Sequence, residues 1–228
     1  VGFDATCSLA VVGDGDVPVS VCPDGTPGPN VIVWSDHRAI EQANRIQETG
    51  NAALDSVGGR ISPEMQLPKL LWLKQNLPDQ FRAARFFFDL PDWLVYRATG
   101  SDVRSLCSAT CKWTYQGSRG LNGEGWDTAF LTEIGLGDLT TEHCRSVGSS
   151  FVAPGSRIGR GLSSEAAQSL GLVPGTHVAA SLIDAYAGAL GTLGVTALDS
   201  PEPEGRMALI AGTSACHIVS TPRAAFVP

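Results

Sequence analysis

The chain reads as an α/β protein, and three observations predict that class. Short β-rich runs alternate with amphipathic stretches of helical period. Clusters of Gly, Pro and Asp separate them. The 228 residues, 43% hydrophobic and 17% charged, suffice for a sizeable core in one large domain, or in one domain with part of a second.

The elements follow in order. "VGFDATCSLAVV" and "NVIVWSDHRA" are β-rich, and the turn-forming stretch "GDGDVPVSVCPDGTPGPN" lies between them. "HRAIEQANRIQETG" places Ile40, Ala43, Ile46 and Gln47 at helical spacing, with Gly50 as a stop. In "SPEMQLPKLLWLKQNLP" Leu67, Leu70, Leu71 and Leu73 form a helix ahead of Pro78, with Pro63 or Pro68 near its first turn. "LPDWLVYRATG" predicts a short helix opened by Asp89 or Pro91 and closed by Gly100. "GEGWDTAFLTEIGLGDL" predicts another, and "SSEAAQSLGLVPGT" a third that begins on a serine cap. "HVAASLIDAYAGALGTLG" is a buried strand running into a small-residue helix, which sets the carboxylate of Asp184 in apolar company; "GRMALIAGTSACHIVST" is strand, turn, strand. The acidic, proline-containing "TALDSPEPEG", residues 196–205, is the expected linker between a domain at 1–195 and the start of a second at 206–228.

Composition narrows the function. A net charge of −7 argues against nucleic acid as a partner, because phosphate backbones want a basic face. No apolar run approaches the ~20 residues of a membrane span. The six cysteines Cys7, Cys22, Cys107, Cys111, Cys144 and Cys216 are scattered without paired CxxC spacing. They read as free thiols of a cytoplasmic protein, with Cys107 and Cys111 one helical turn apart, and no metal-ligating set is expected. The start inside "VGFDA" and the end at "AAFVP" suggest a piece of a longer protein.

Four stretches are candidates for chemistry. "FDATCS" has the look of an Asp-x-Gly-Thr-x-Ser phosphate turn, yet Ala5 and Thr6 stand where the backbone approach needs glycine, so a strand end lining a pocket is the better reading. Gly212, Thr213 and Ser214 form a turn offering N–H groups and hydroxyls to a phosphate, a composition also common in plain hairpins. In "VWSDHRA", Trp34 and Asp36 sit at a strand-to-helix junction. They suit a polyol, or else a core tryptophan and a helix cap. Lys112, between Cys111 and Trp113, either points into a cleft or snorkels to water.

Taken in order, "NVIVWSDHRA", "QLPKLLWLKQNLP", "FFDLPDWLVYRATG", "SLCSATCKWTY", "SLIDAYAGALGTLG" and "LIAGTSACH" resemble the FGGY carbohydrate kinases, within them the D-ribulokinase-like group, over nearly the whole chain. The resemblance implies an actin-like, ribonuclease H-like α/β fold, here incomplete, with a sugar-binding N-terminal domain lacking its first strands and the beginning of a nucleotide-binding one. It implies that Asp184 is the base that takes the proton of the attacking sugar hydroxyl. Trp34, Cys7, Glu64 and Lys112 fall at positions that touch the sugar in relatives, Lys112 favouring a ketopentose over glycerol, and Asp36 joins them in the expected pocket. Gly212, Thr213 and Ser214 match the turn facing the transferred phosphate. ATP and Mg²⁺ are the implied cofactors and D-ribulose the implied substrate, with a homodimer compatible. Three departures stand out. The family's early phosphate turn and its adenosine site are absent, so this stretch alone is expected to be inactive. Tyr186 replaces a histidine that many relatives carry.

Overall fold

The computed structural model describes residues 1–194, 205–212 and 214–223. Its elements are β1 (Asp4–Ala5), β2 (Leu9–Gly13), β3 (Val31–Ile32), α1 (Ile40–Gln47), α2 (Gln66–Asn76), α3 (Pro78–Ala83), β4 (Ala84–Asp89), α4 (Leu90–Thr99), β5 (Arg104–Ser105), α5 (Leu106–Lys112), α6 (Thr128–Glu133), β6 (Phe151–Val152), β7 (Arg157–Ile158), α7 (Ser164–Leu170), β8 (Val178–Ala179), β9 (Leu182–Ile183), α8 (Asp184–Leu193), β10 (Met207–Ala211) and β11 (Ala215–Val219). Alternating strands and helices give the predicted α/β class.

An antiparallel sheet in the order β3-β2-β4 lies at the centre, and Leu9 stands opposite both Ile32 and Asp89. Both faces of that sheet are covered. Leu9, Val11 and Phe87 point into a large core with α2, α3 and the aromatic cluster of Trp113, Tyr115, Trp126 and Phe151. Ala10, Val12, Phe86 and Phe88 point the other way, against Trp93 and Tyr96 of α4. Elsewhere β1 pairs in parallel with β9, and β5 with β6. β7 pairs antiparallel with β8, and β10 with β11 in a hairpin.

Local sequence explains most helix ends. Asn76 ends α2 and Pro78 opens α3 inside its first turn, while Pro68 sits in the first turn of α2, where a missing N–H costs nothing. Gly100 closes α4 and Gly171 closes α7, both in the left-handed region. Ser163 caps α7 by accepting from Ala166 N at 3.1 Å.

Three expectations need correction. β4, in "ARFFFD", was not foreseen as a strand. Ile40 faces water, so the inner face of α1 consists of Gln42, Ala43 and Ile46. The single strand expected before Asp184 is two short ones, β8 and β9, broken at Ala180 and Ser181. The linker expected at 196–205 lies, apart from Gly205, outside the described residues. Among the described residues no helix is long and apolar enough to cross a membrane.

Candidate active site

One end of the central sheet gathers the predicted residues. Antiparallel pairing puts the carboxyl ends of β3 and β4 beside the start of β2. The loop carrying Cys7 and Ser8 therefore meets the loop carrying Trp34 and Asp36, with Asp89 between them. Parallel pairing of β1 with β9 sets the start of α8, and so Asp184, next to the Cys7 loop. The strand ends of an α/β sheet are where loop side chains converge on a ligand.

Backbone anchors hold this end together. Ser8 Oγ accepts from Trp34 N at 3.1 Å, and Ser8 O accepts from Leu90 N at 2.9 Å. Lys69, fully buried in α2, donates its ammonium to Val33 O at 3.0 Å and Trp34 O at 3.2 Å. Burial holds Lys69 down to about 8, against the pull of Asp36. Gln66, also fully buried, donates through Nε2 to Cys7 O at 3.0 Å and to Asp89 Oδ1. The other Asp89 oxygen accepts from Trp113 Nε1 at 2.5 Å. Burial, together with Asp92, raises the Asp89 carboxyl to about 7.

Each predicted residue now has a place. Cys7 is buried, with only 3% of its surface exposed, so its thiol lies beneath the site and is driven up by burial and by Asp89. Trp34 is half-buried. Asp36 does not cap α1, whose N-cap is Ala39. It is clasped by the Arg38 guanidinium at 2.9 and 2.7 Å, and that pair holds its carboxyl below the usual range. Glu64 Oε1 sits 3.0 Å from His37 Nε2. Lys112 is half-buried at the end of α5, facing Cys7, Cys111, Asp89 and Glu64. Burial lowers its pKa and those groups raise it by more, so it stays an ammonium. Among the described residues its Nζ makes no hydrogen bond and no ion pair.

Asp184 departs most from the expectation drawn from its neighbours. It is exposed, as the first residue of α8, and its Oδ1 accepts only from the next amide, Ala185 N, at 2.8 Å. Further along α8, Gly188 lies close against Ile210 of the β10–β11 hairpin, while Ala180, ahead of Asp184, packs in a separate core with Val95 and Ile158. Tyr186 is 40% exposed, and its hydroxyl meets Cys111. In the hairpin turn Gly212 N donates to Ser214 O at 2.9 Å, both residues are exposed, and Thr213 lies outside the described residues. Cavities of about 260 and 420 Å³ open at the opposite end of β4, around Arg85, Arg145, Phe81 and Phe87, and share no residue with the predicted site.

The structure thus sets Cys7 near both Lys112 and Asp184, and Lys112 near Glu64, while Trp34 and Asp36 lie on the loop after β3 beside the Cys7 loop. It adds Ser8, Gln66, Lys69, Asp89 and Trp113, which sequence reasoning left out of the site. Polar residues inside apolar helix and strand runs, Lys69 in "LPKLL" and Asp89 in "FFFDLP", were the available signal.

A cluster at one end of an actin-like α/β sheet defines a class, and comparison supplies the family. Residues 23–191 match the N-terminal domain of the FGGY family of carbohydrate kinases, and the chain belongs to that family. It is 49% identical over 235 residues to an FGGY carbohydrate kinase domain-containing protein of Danio rerio, covering all of this chain and 42% of that protein. It is 39% identical to a D-ribulokinase of Saccharomyces cerevisiae, again over the whole chain and 35% of the relative. The crystal structure of xylulose kinase from Rhodospirillum rubrum superposes with a TM-score of 0.73 at 20% identity, over 97% of this chain and 40% of that one. The fold is that of the FGGY sugar kinases. The chain spans less than half the length of these relatives.

Proposed function

We propose that the protein carrying this chain transfers the γ-phosphate of ATP to the terminal hydroxyl of a ketopentose, D-ribulose, giving D-ribulose 5-phosphate. The observation that carries the reading is that Cys7 has near it both an ammonium with no hydrogen bond among the described residues, Lys112, and an exposed carboxylate, Asp184. A ketopentose presents a carbonyl and several hydroxyls, and three free ammonium donors suit them. Similarity to a D-ribulokinase supports the substrate.

Phosphoryl transfer asks the protein chiefly to place the nucleophile in line and to stabilise charge. Asp184 accepts the proton of the attacking hydroxyl, and its bond to the first helical amide fixes one oxygen while the other faces solvent. Lys112 orients the sugar from below, Trp34 offers an aromatic face, and Glu64 and Asp36 close the rim. Asp36 acts through its Arg38 clasp, which limits it to shaping the pocket. The 212–214 turn faces the transferred phosphate. Gly212 N is already engaged by Ser214 O, so it is not the donor in that contact.

Mg²⁺ binds mainly through substrate phosphates and one or two carboxylates, and the exposed Asp184 fits that demand. Among the described residues no group of three or more His, Cys, Asp or Glu side chains forms a cage of its own. The ion, when bound with ATP, supplies charge neutralisation at the phosphates. Free thiols at all six cysteines suit a reducing, cytoplasmic setting.

The test is ADP release by the full-length protein on a panel of pentoses and pentitols, with Asp184→Asn alongside. Loss of a general base lowers kcat by about 10²- to 10⁴-fold. D-Ribulose turnover within a few-fold of normal in the variant would remove Asp184 from the mechanism. A different preferred sugar in the panel would replace the substrate and leave the chemistry.

A further inference from the structure

We propose that Asp89 is the positioning residue of the sugar site, holding the Cys7 loop through Gln66 and the Lys112 end of α5 through Trp113. The inference rests on the sugar-pocket reading above. Asp89 is 1% exposed and touches no solvent-facing ligand position, so it acts through other groups. Gln66 Nε2 bridges it to Cys7 O, and Trp113, the residue after Lys112, donates its indole N–H to the second oxygen. Three segments far apart in the chain thus meet on one carboxylate: the β1–β2 loop, the first turn of α2 and the end of α5.

The chemistry of this arrangement is restrictive. Both partners are N–H donors, so a proton on either Asp89 oxygen confronts a donor and breaks one of the two anchors. Only the ionised form holds the loop and the helix end at once. Burial and the neighbouring carboxylate of Asp92 work against ionisation, and the Gln66 and Trp113 donors with Lys112 work for it, which brings the balance to about 7. The other groups facing this point are Lys69 from α2, Arg104 from β5 and the thiols of Cys7, Cys107 and Cys111. Asp89 therefore changes charge on the acid side of the neutral range, with Lys69 changing above it near 8, and the site should come apart as Asp89 takes up a proton.

Isothermal titration of D-ribulose into the full-length protein between pH 5.5 and 8.5 tests this. Below the Asp89 midpoint the affinity is expected to fall by about tenfold per pH unit. The slope should persist in His37→Gln, which removes the histidine bonded to Glu64 as a second source. Asp89→Asn should bind about tenfold more weakly at pH 7.5 and show no slope below pH 7, a loss of one charge-assisted anchor. Trp113→Phe keeps an aromatic ring but lacks the N–H, and its midpoint should move upward, a shift that a purely structural role does not produce. Should Asp89→Asn fail to fold, the unaltered pH curve and the Trp113→Phe midpoint decide. A flat curve for the unaltered protein overturns the proposal, as does an unmoved midpoint in Trp113→Phe. An unaltered protein that binds no ketopentose at any pH removes the sugar reading itself, an outcome distinct from binding without a slope.

Discussion

Asp184 and Asp89 each stand where a strand turns into a helix, and their surroundings give them opposite chemistry. Asp184 is solvated and accepts only from the next amide of its own helix. Asp89 is enclosed and ties other segments together. The two lysines divide in the same way. Lys69 spends its ammonium on the carbonyls of Val33 and Trp34, and burial depresses it; Lys112 keeps its donors unengaged. Lys112→Met, in the full-length protein, is therefore expected to raise KM for the sugar by about 10- to 100-fold, the worth of a hydrogen bond from a charged donor. The melting temperature should hardly move, because no protein hydrogen bond is lost. A steady-state titration of sugar with a parallel thermal melt checks both halves. Neither division was legible in the sequence, where Lys69 reads as one more member of a leucine-rich helix and Asp89 as a helix start.

At the scale of elements, α8 joins the end of the β1–β9 pair to the β10–β11 hairpin. Its first residue is Asp184, and its far side packs on the β10–β11 hairpin that bears the 212–214 turn. At that contact a Cβ on Gly188 would stand 3.1 Å from Ile210 Cδ1. The tip of Ile210 could yield to a methyl group, so Gly188→Ala should be near neutral, crowding offset by up to ~1 kcal/mol of helix propensity. Gly188→Leu has no such room and should displace the hairpin, lowering kcat more than sugar affinity. Turnover measured beside D-ribulose titration distinguishes the two effects. Helices such as α4 and α7 were readable because their capping residues are local. β4 was not. Phe87 enters one core while Phe86 and Phe88 enter another, so the strand shows an unbroken apolar run in place of alternation.

Across the whole molecule, a buried polar network joins pieces that the chain separates. Asp92 in α4 accepts from Ser105 N at 2.9 Å, Ser181 Oγ at 2.7 Å and Ser108 Oγ at 2.5 Å, tying α4 to α5 and to the strand leading into α8. Arg104, 3% exposed and stacked 3.4 Å from the Phe88 ring centroid, is a charge that favours ionised Asp92. Asp92→Ala would strip three buried donors and leave Arg104 without this countercharge. A loss of about 3–5 kcal/mol, read by urea unfolding, is expected. Raised Asp89 works in the other direction on stability: its native pKa lies above the unfolded value, so its contribution is full below about pH 4 and is lost as pH rises through 7. The ionisation that assembles the site is thus the one that folding resists.

Family and fold class were open to the sequence by itself, because ordered motifs, caps and turn residues act over a few neighbouring positions. The tertiary structure alone decided which aspartate meets water and which is enclosed, which lysine is spent and which is free, and that Asp36 is held by Arg38. Burial and partnership are set by segments far apart in the chain, and no local pattern carries them.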